Sequence, residues 1–356
     1  MSKTDHTMTT STLAAAKISR PIRPGPALIL AGACTLALIL ACQMGAVAIQ
    51  PADWLFWRSD ELGGTAHVLW QIRLPRALFA LLIGAALGLS GALTQGLFRN
   101  PLADAGLLGV SAGAACAAAL SIVALSALSL PLPTEWRIWL LPAMAFLGAL
   151  LVCLLLDRIA RWISPGSIAG LLLTGVALNA IAGAMIGLAT YLATDEQLRS
   201  LSFWTLGSLA AANWWLVAGM LLLLTLAHWR TRQLRQPLNA LALGEAAAAQ
   251  VGIDVNRLRG EVVLLVALLN GFAVAWCGMV GFIGLIAPHL VRSWVGPDQR
   301  RVLPLAALMG GLLVLLADTL ARTLAIPAEI PVGIFTALLG GPFFLAMLYG
   351  RRHRVA

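Results

Sequence analysis

From Pro26 onward the chain is a succession of apolar runs, several of them close to the roughly 20 residues that a helix needs to cross a bilayer. Residues of this kind in unbroken runs leave no polar face to turn toward water. Composition agrees: 60% of the residues are hydrophobic and only 11% are charged, whereas a soluble domain carries about 25% charged residues. Lipid is therefore the solvent. A transmembrane barrel would show alternating segments of about ten residues, and none are evident, so the chain reads as an all-α polytopic membrane protein.

The apolar runs place ten spans near residues 26–49, 75–97, 106–127, 138–157, 168–192, 213–229, 261–281, 285–295, 303–322 and 331–350. The run beginning at Pro26 exceeds a signal-peptide core and lacks a cleavage site. It reads as the first span, preceded by a mobile tail (1–25) and opening one ten-helix domain (26–350) that ends in a short tail (351–356). An even number of spans puts both termini on one side. Of the 24 basic residues, only Arg58, Arg73, Arg76, Arg137, Arg199 and Arg322 then fall on the opposite side. Basic residues concentrate in the cytoplasm, so both termini are expected there. The polar connection "QPLNALALGEAAAAQVGIDVNRLRG" (236–260) is expected there too. The net charge of +9 needs no nucleic-acid partner, because cytoplasmic helix ends account for it.

Several chemistries are excluded. The only lysines are Lys3 and Lys17, in the tail, so no phosphate-binding loop fits in the body of the chain. The Ser90-Gly91 pair of "GLSGAL" lies in a span and reads as helix packing. No H-E-x-x-H motif is present, and His289 follows a proline near a helix end. The cysteines (Cys34, Cys42, Cys116, Cys153, Cys277) sit in apolar runs without ligand spacing, as small core residues do. Gly84 and Gly88, like Gly109 and Gly113, stand four apart, a spacing that lets helices approach closely in lipid. An ion-coupled secondary carrier, the rival reading, usually keeps carboxylates at the bilayer midplane. Here the main charges in a span are Asp318 and Arg322, spaced for a local salt bridge.

Within 236–260, the alanine-rich stretch from Gly244 to Gln250 favours a short helix, Gly252 suits its C-terminus and Asp254 can cap a following short helix. A connection with two capped helices is stiff enough to transmit a displacement. Asn100, Pro101 and Asp104 form a turn and cap at the entry to the third span.

Four longer motifs carry a resemblance. "RLPRALFALLIGAALGLSGALTQGLFRNPLADAGLLGVSAGA" begins at Arg73, "LGEAAAAQVGIDVNRLR" spans 243–259, "GMVGFIGLIAPHLVR" spans 278–292 and "LADTLARTLAIPAEIPVGIFTALLGGPFF" spans 316–344. In this order they resemble the permease subunit of type II ABC importers, the family for iron-siderophores, haem and vitamin B12. The resemblance implies ten spans per subunit and a homodimer around a central pathway. It also implies two separate ATPase subunits that bind ATP and Mg, a periplasmic substrate-binding protein and a bacterial inner membrane. It makes Leu243, Gly244, Glu245, Ala246, Gly252 and Asp254 the element that couples to the ATPase. Arg73, Arg76 and Arg322 become docking sites for carboxylates of the binding protein. "DEQLRSLSFWTLGSL" (195–209) resembles the short helix at the pathway mouth, with Arg199, Phe203 and Trp204 near the entering substrate. A cation beside aromatics suits haem with its propionates. Ferric siderophores and vitamin B12 stay open as cargo, and an interfacial Arg and Trp anchor is the plainer role for that segment.

Overall fold

The computed structural model describes residues 25–55, 64–127, 134–165 and 167–355. The expected N-terminal tail, apart from Gly25, and Arg58 lie outside them. The described residues form α1 (Gly25–Gln43), α2 (Gly64–Phe98), α3 (Val110–Ala127) and α4 (Thr134–Ile163), followed by α5 (Ile168–Leu192), α6 (Asp195–Leu206), α7 (Trp214–Leu241) and α8 (Glu245–Gln250). The chain closes with α9 (Val255–Cys277), α10 (Ile283–Val295), α11 (Gln299–Thr323) and α12 (Val332–Val355). Each of the ten expected spans falls on one of these helices, and α6 and α8 are the short extra ones. Among the described residues, six helices are long and apolar enough to cross a membrane by length and hydropathy: α1, α2, the 138–163 part of α4, α5, α9 and α11.

α2 is the axis of the molecule. It packs against α1, α7, α9 and α10, and most extensively against α11. Its first turns are wound wide, as a π-turn over Val68–Arg73 in which the Leu74 N–H donates to Leu69 O. Pro75 follows at once. It has no N–H to give, and a widened turn absorbs that loss without breaking the helix. Helix backbones come into direct contact at the crossing of α2 with α11. A side chain at Gly84 would strike the Gly310 backbone, and one at Gly310 would come within 3.0 Å of Gly88 Cα. The small-residue spacing read from Gly84 and Gly88 thus does its work here, where backbone-to-backbone approach supplies the dispersion contact that lipid tails do not. Gly113 serves the α3–α4 crossing in the same way, 2.6 Å from Gly148 O if it carried a Cβ. All five cysteines are buried and form no disulfide.

Short polar side chains close the helix N-termini. Ser167 accepts from the Gly170 N–H, Asn213 from Leu216, Asp254 from Arg257 and Asp298 from Arg300, each satisfying an amide with no intrahelical partner. One expectation is corrected. The polar connection is not a long loop with two short helices, because α7 continues to Leu241 and Asp254 opens the 23-residue α9. Polar composition marks where a helix leaves lipid, not where it ends. Only residues 242–254 separate α7 from α9, and α8 sits inside them.

Candidate coupling, docking and pathway sites

The segment between α7 and α9 is built around a backbone reversal. Gly244, the N-cap of α8, has φ +122° and ψ 156°, a region that side chains avoid. α8 then runs six residues, and Gly252 turns the chain at φ +83° toward the Asp254 cap. Ala248 is fully buried beneath α8, while Leu243 and Val251 at its two ends are 81% and 70% exposed. Ala246 is exposed between them. The result is a small rigid knob with an apolar rim. It is tied inward, because Glu245 lies 3.7 Å from Arg99. Arg99 is the C-cap of α2, in the left-handed conformation at φ 51°. Half-exposed pairs of this kind contribute at most about 1 kcal/mol, so the tie gives direction more than stability.

Below Arg99 the chain enters the turn before α3. Asn100 Oδ1 accepts from the Leu102 N–H at 2.9 Å, and Asp104 Oδ2 accepts from Gly106 at 3.2 Å. These are the turn and cap roles read from the sequence. Burial pushes the Asp104 carboxyl above the usual carboxylate range, with the Gly106 and Ala105 amides pulling against it.

A second cluster beside the knob was not legible in the sequence. Arg259, on α9, is 1% exposed. Its guanidinium lies 3.9 Å from Asp157 of α4 and donates to Ser167 O at the start of α5 and to Asn256 Oδ1. Asp157 also pairs with Arg161 at 2.6 Å. Arginine near a polar connection looks like an exposed charge, and only the folding of α4 against α9 buries this one.

At the other end of the molecule, the three arginines expected to receive carboxylates of the binding protein are engaged internally. Arg73 is 6% exposed and donates to the carbonyls of Cys42, Gln43 and Val47 at 3.0, 3.1 and 2.6 Å, capping the C-terminus of α1. Arg322 donates to Met44 O at 2.8 Å and to Ala41 O. Asp318 does pair with Arg322, at 3.8 Å, but its closer partner is Arg76 at 2.9 Å. Arg76 also holds Glu329 at 2.8 Å, and the Glu329 side chain is 47% exposed. The local spacing rule found Arg322 and missed Arg76, because the α2–α11 crossing brings Arg76 in from far along the chain. Asp318 is thereby neutralised by structural partners and is not a lone midplane carboxylate.

α6 is capped by Thr194 and Gln197, each side chain bonded to the other's backbone amide. Arg199 and Phe203 lie four apart on its exposed side. Trp204 is turned away from them and packs against the core. α6 is anchored to the break between α9 and α10: Ser208 donates to Cys277 O at 2.8 Å, and Gly207, at φ +77°, stands where a Cβ would lie 2.9 Å from Met279 O.

Comparison with known proteins accords with this architecture. The model of the FecCD transport family matches residues 33–350. The hemin transport system permease protein HmuU of Yersinia pestis is 44% identical over 339 residues, 93% of this chain and 98% of that protein. The vitamin B12 import system permease protein BtuC of Salmonella typhi is 42% identical over 316 residues, 88% and 91% of the two chains. A solved metal-chelate type ABC transporter in an inward-facing conformation superposes with a TM-score of 0.79 at 31% identity, covering 92% of this chain and 99% of that one.

Proposed function

The chain belongs to the FecCD transport family and is the multi-pass permease of an ABC importer, and on that premise we propose that it carries haem from periplasm to cytoplasm by alternating access. Two copies enclose the pathway in a bacterial inner membrane, ten spans each, with both termini in the cytoplasm. ATP and Mg bind to a partner ATPase, and this chain performs no hydrolysis. A periplasmic binding protein delivers the cargo.

The observation that carries this reading is the knob at Leu243–Asp254. A six-residue helix held by Gly244 and Gly252, with Leu243 and Val251 exposed, is shaped to seat in a groove of another protein. Its Glu245–Arg99 tie leads from that seat to the inner end of α2, the axis of the bundle. Motion of the ATPase therefore has a direct path to the helix whose tilt would open or close the pathway. The identity to the haem permease supports haem as cargo, and the exposed Arg199 and Phe203 of α6 supply a cation and a ring for a flat anionic ligand at the mouth. Ferric siderophore and vitamin B12 are the competing cargoes of the same machine.

Docking of the binding protein centres on Arg76. Of the three outer arginines it is the one held by an exposed carboxylate, Glu329. A carboxylate of the binding protein would replace Glu329, while Arg73 and Arg322 keep the end of α1 in place through its carbonyls.

The test is reconstitution with the cognate ATPase and binding protein in liposomes, the latter loaded with haem, ferric siderophore or cobalamin, or empty. Haem-specific ATPase stimulation and uptake are expected. Uptake of another cargo instead would overturn haem and leave the importer standing.

A further inference from the structure

At the basic end of the molecule a cavity of about 630 Å³ opens between the start of α1, the end of α7 and the start of α11. Arg232, Arg235, Arg300 and Arg301 line it, beside Trp294. Its inner wall, at His228, Pro304 and Leu308, is shared with a second cavity of about 270 Å³ that is almost wholly apolar and reaches Cys34 and Leu81. Cys34 is nine residues along α1 from Gly25 of the lower cavity, about 13 Å deeper at the helical rise. Together the two make one furrow, charged at the membrane surface and greasy toward the bilayer interior.

The positive charge in this furrow is only partly offset, by Asp298. None of the four guanidiniums forms an ion pair among the described residues, and the buried Nε of Arg235 has no hydrogen-bond partner. Burial and the Arg232 charge push the Arg235 guanidinium below its ordinary value, with Asp298 pulling the other way. Asp298, whose Oδ1 accepts from Asn239 Nδ2 at 2.7 Å and from the Arg300 N–H at 2.9 Å, offsets part of this charge, and one carboxylate against four guanidiniums leaves the furrow net positive. Arg300 and Arg301 stand in the first turn of α11, where the helix dipole adds further positive potential. Guanidinium forks match phosphate oxygens. An indole at the rim, 46% exposed, suits the headgroup layer. The N-terminal tail does not suit this seat, because it carries Lys3, Lys17, Arg20 and Arg23. A soluble anion would leave the apolar upper cavity unfilled.

We propose that the furrow binds an anionic diacyl phospholipid of the leaflet at the basic end, its phosphate among the four arginines and an acyl chain along α1 and α11. Such a lipid would lie against α11, the partner of the axial helix α2, and so tie the bundle to its membrane.

The test is native mass spectrometry of the full chain with dioleoylphosphatidylglycerol, dioleoylphosphatidylcholine, glycerol 1-phosphate or inorganic phosphate. Phosphatidylglycerol is expected to stay bound under conditions that strip phosphatidylcholine. Arg235→Gln and Arg300→Gln should each weaken its retention roughly fivefold, the value of one basic residue near an anionic lipid. Equal retention of the two lipids, or no change in the variants, would overturn the site. Competition by inorganic phosphate as strong as that by the lipid would reduce it to an anion pocket and overturn the lipid. A phosphatidylglycerol with a photoreactive acyl chain needs no variant. Cross-links gathered at Cys34, Leu81 and Leu308 support the site, and cross-links spread over all exposed helices refute it.

Discussion

Arg73, Arg76 and Arg322 share a charge and a neighbourhood but not a task. Arg73 is spent on three carbonyls at the end of α1, so Arg73→Ala leaves buried acceptors unpaired and is expected to cost at least about 2 kcal/mol, seen as a lowered melting temperature of the purified chain. Arg76 holds one buried and one exposed carboxylate. Glu329→Gln should therefore free the guanidinium and tighten association with the cognate binding protein, whereas Arg76→Glu should abolish it; interferometry on the immobilised permease separates the two. Asp104 predicts a pH effect. Its carboxyl is raised above the ordinary value by burial, so the folded state holds this proton at pH values where the unfolded chain has released it. The stability from this group is present at low pH and is lost as pH rises through the raised value. Asp104→Asn keeps an amide acceptor at the cap and should flatten that part of the melting-temperature profile, while Asp104→Ala also loses the cap, worth about 1 kcal/mol.

Among the elements, α8 is the smallest and, under the proposed function, the one that meets the ATPase. Its entry at Gly244 lies in a region of backbone space that costs another residue about 1–3 kcal/mol. Gly244→Ala is expected to misplace the knob, so that uptake and ATPase stimulation fall together while binding-protein docking persists. The Arg99–Glu245 tie makes a sharper prediction. Arg99→Glu and Glu245→Arg should each lower coupling of ATP hydrolysis to uptake, and the double exchange should restore part of it, because the pair is re-formed with its signs reversed. Uptake in the double variant no better than in the singles would remove the tie from the coupling path.

At the level of the whole molecule, the α2–α11 crossing decides the architecture. Gly84 and Gly310 allow the backbones to touch, and the Arg76–Asp318 pair closes one end of the same crossing. A larger side chain at Gly310 must part the two helices, so Gly310→Leu is expected to reduce folded yield severely, with size-exclusion profiles as the readout. Gly183 faces open space, and Gly183→Ala serves as the tolerated control.

The membrane class, the positions of ten helices, the turn at Asn100–Asp104 and the caps around Gly244, Gly252 and Asp254 were determined by the sequence alone. Each depends on interactions within a few residues or on the average polarity of a window, and those are present before any tertiary contact forms. What the tertiary structure decided are the pairings across distance. It turned Arg73 inward, gave Asp318 to Arg76 ahead of its local neighbour Arg322, buried Arg259 against Asp157, turned Trp204 away from Arg199 and gathered four arginines from α7 and α11 around one cavity. A charged side chain chooses its partner by where the helices cross, and the crossings are set by packing among small residues scattered along the whole chain.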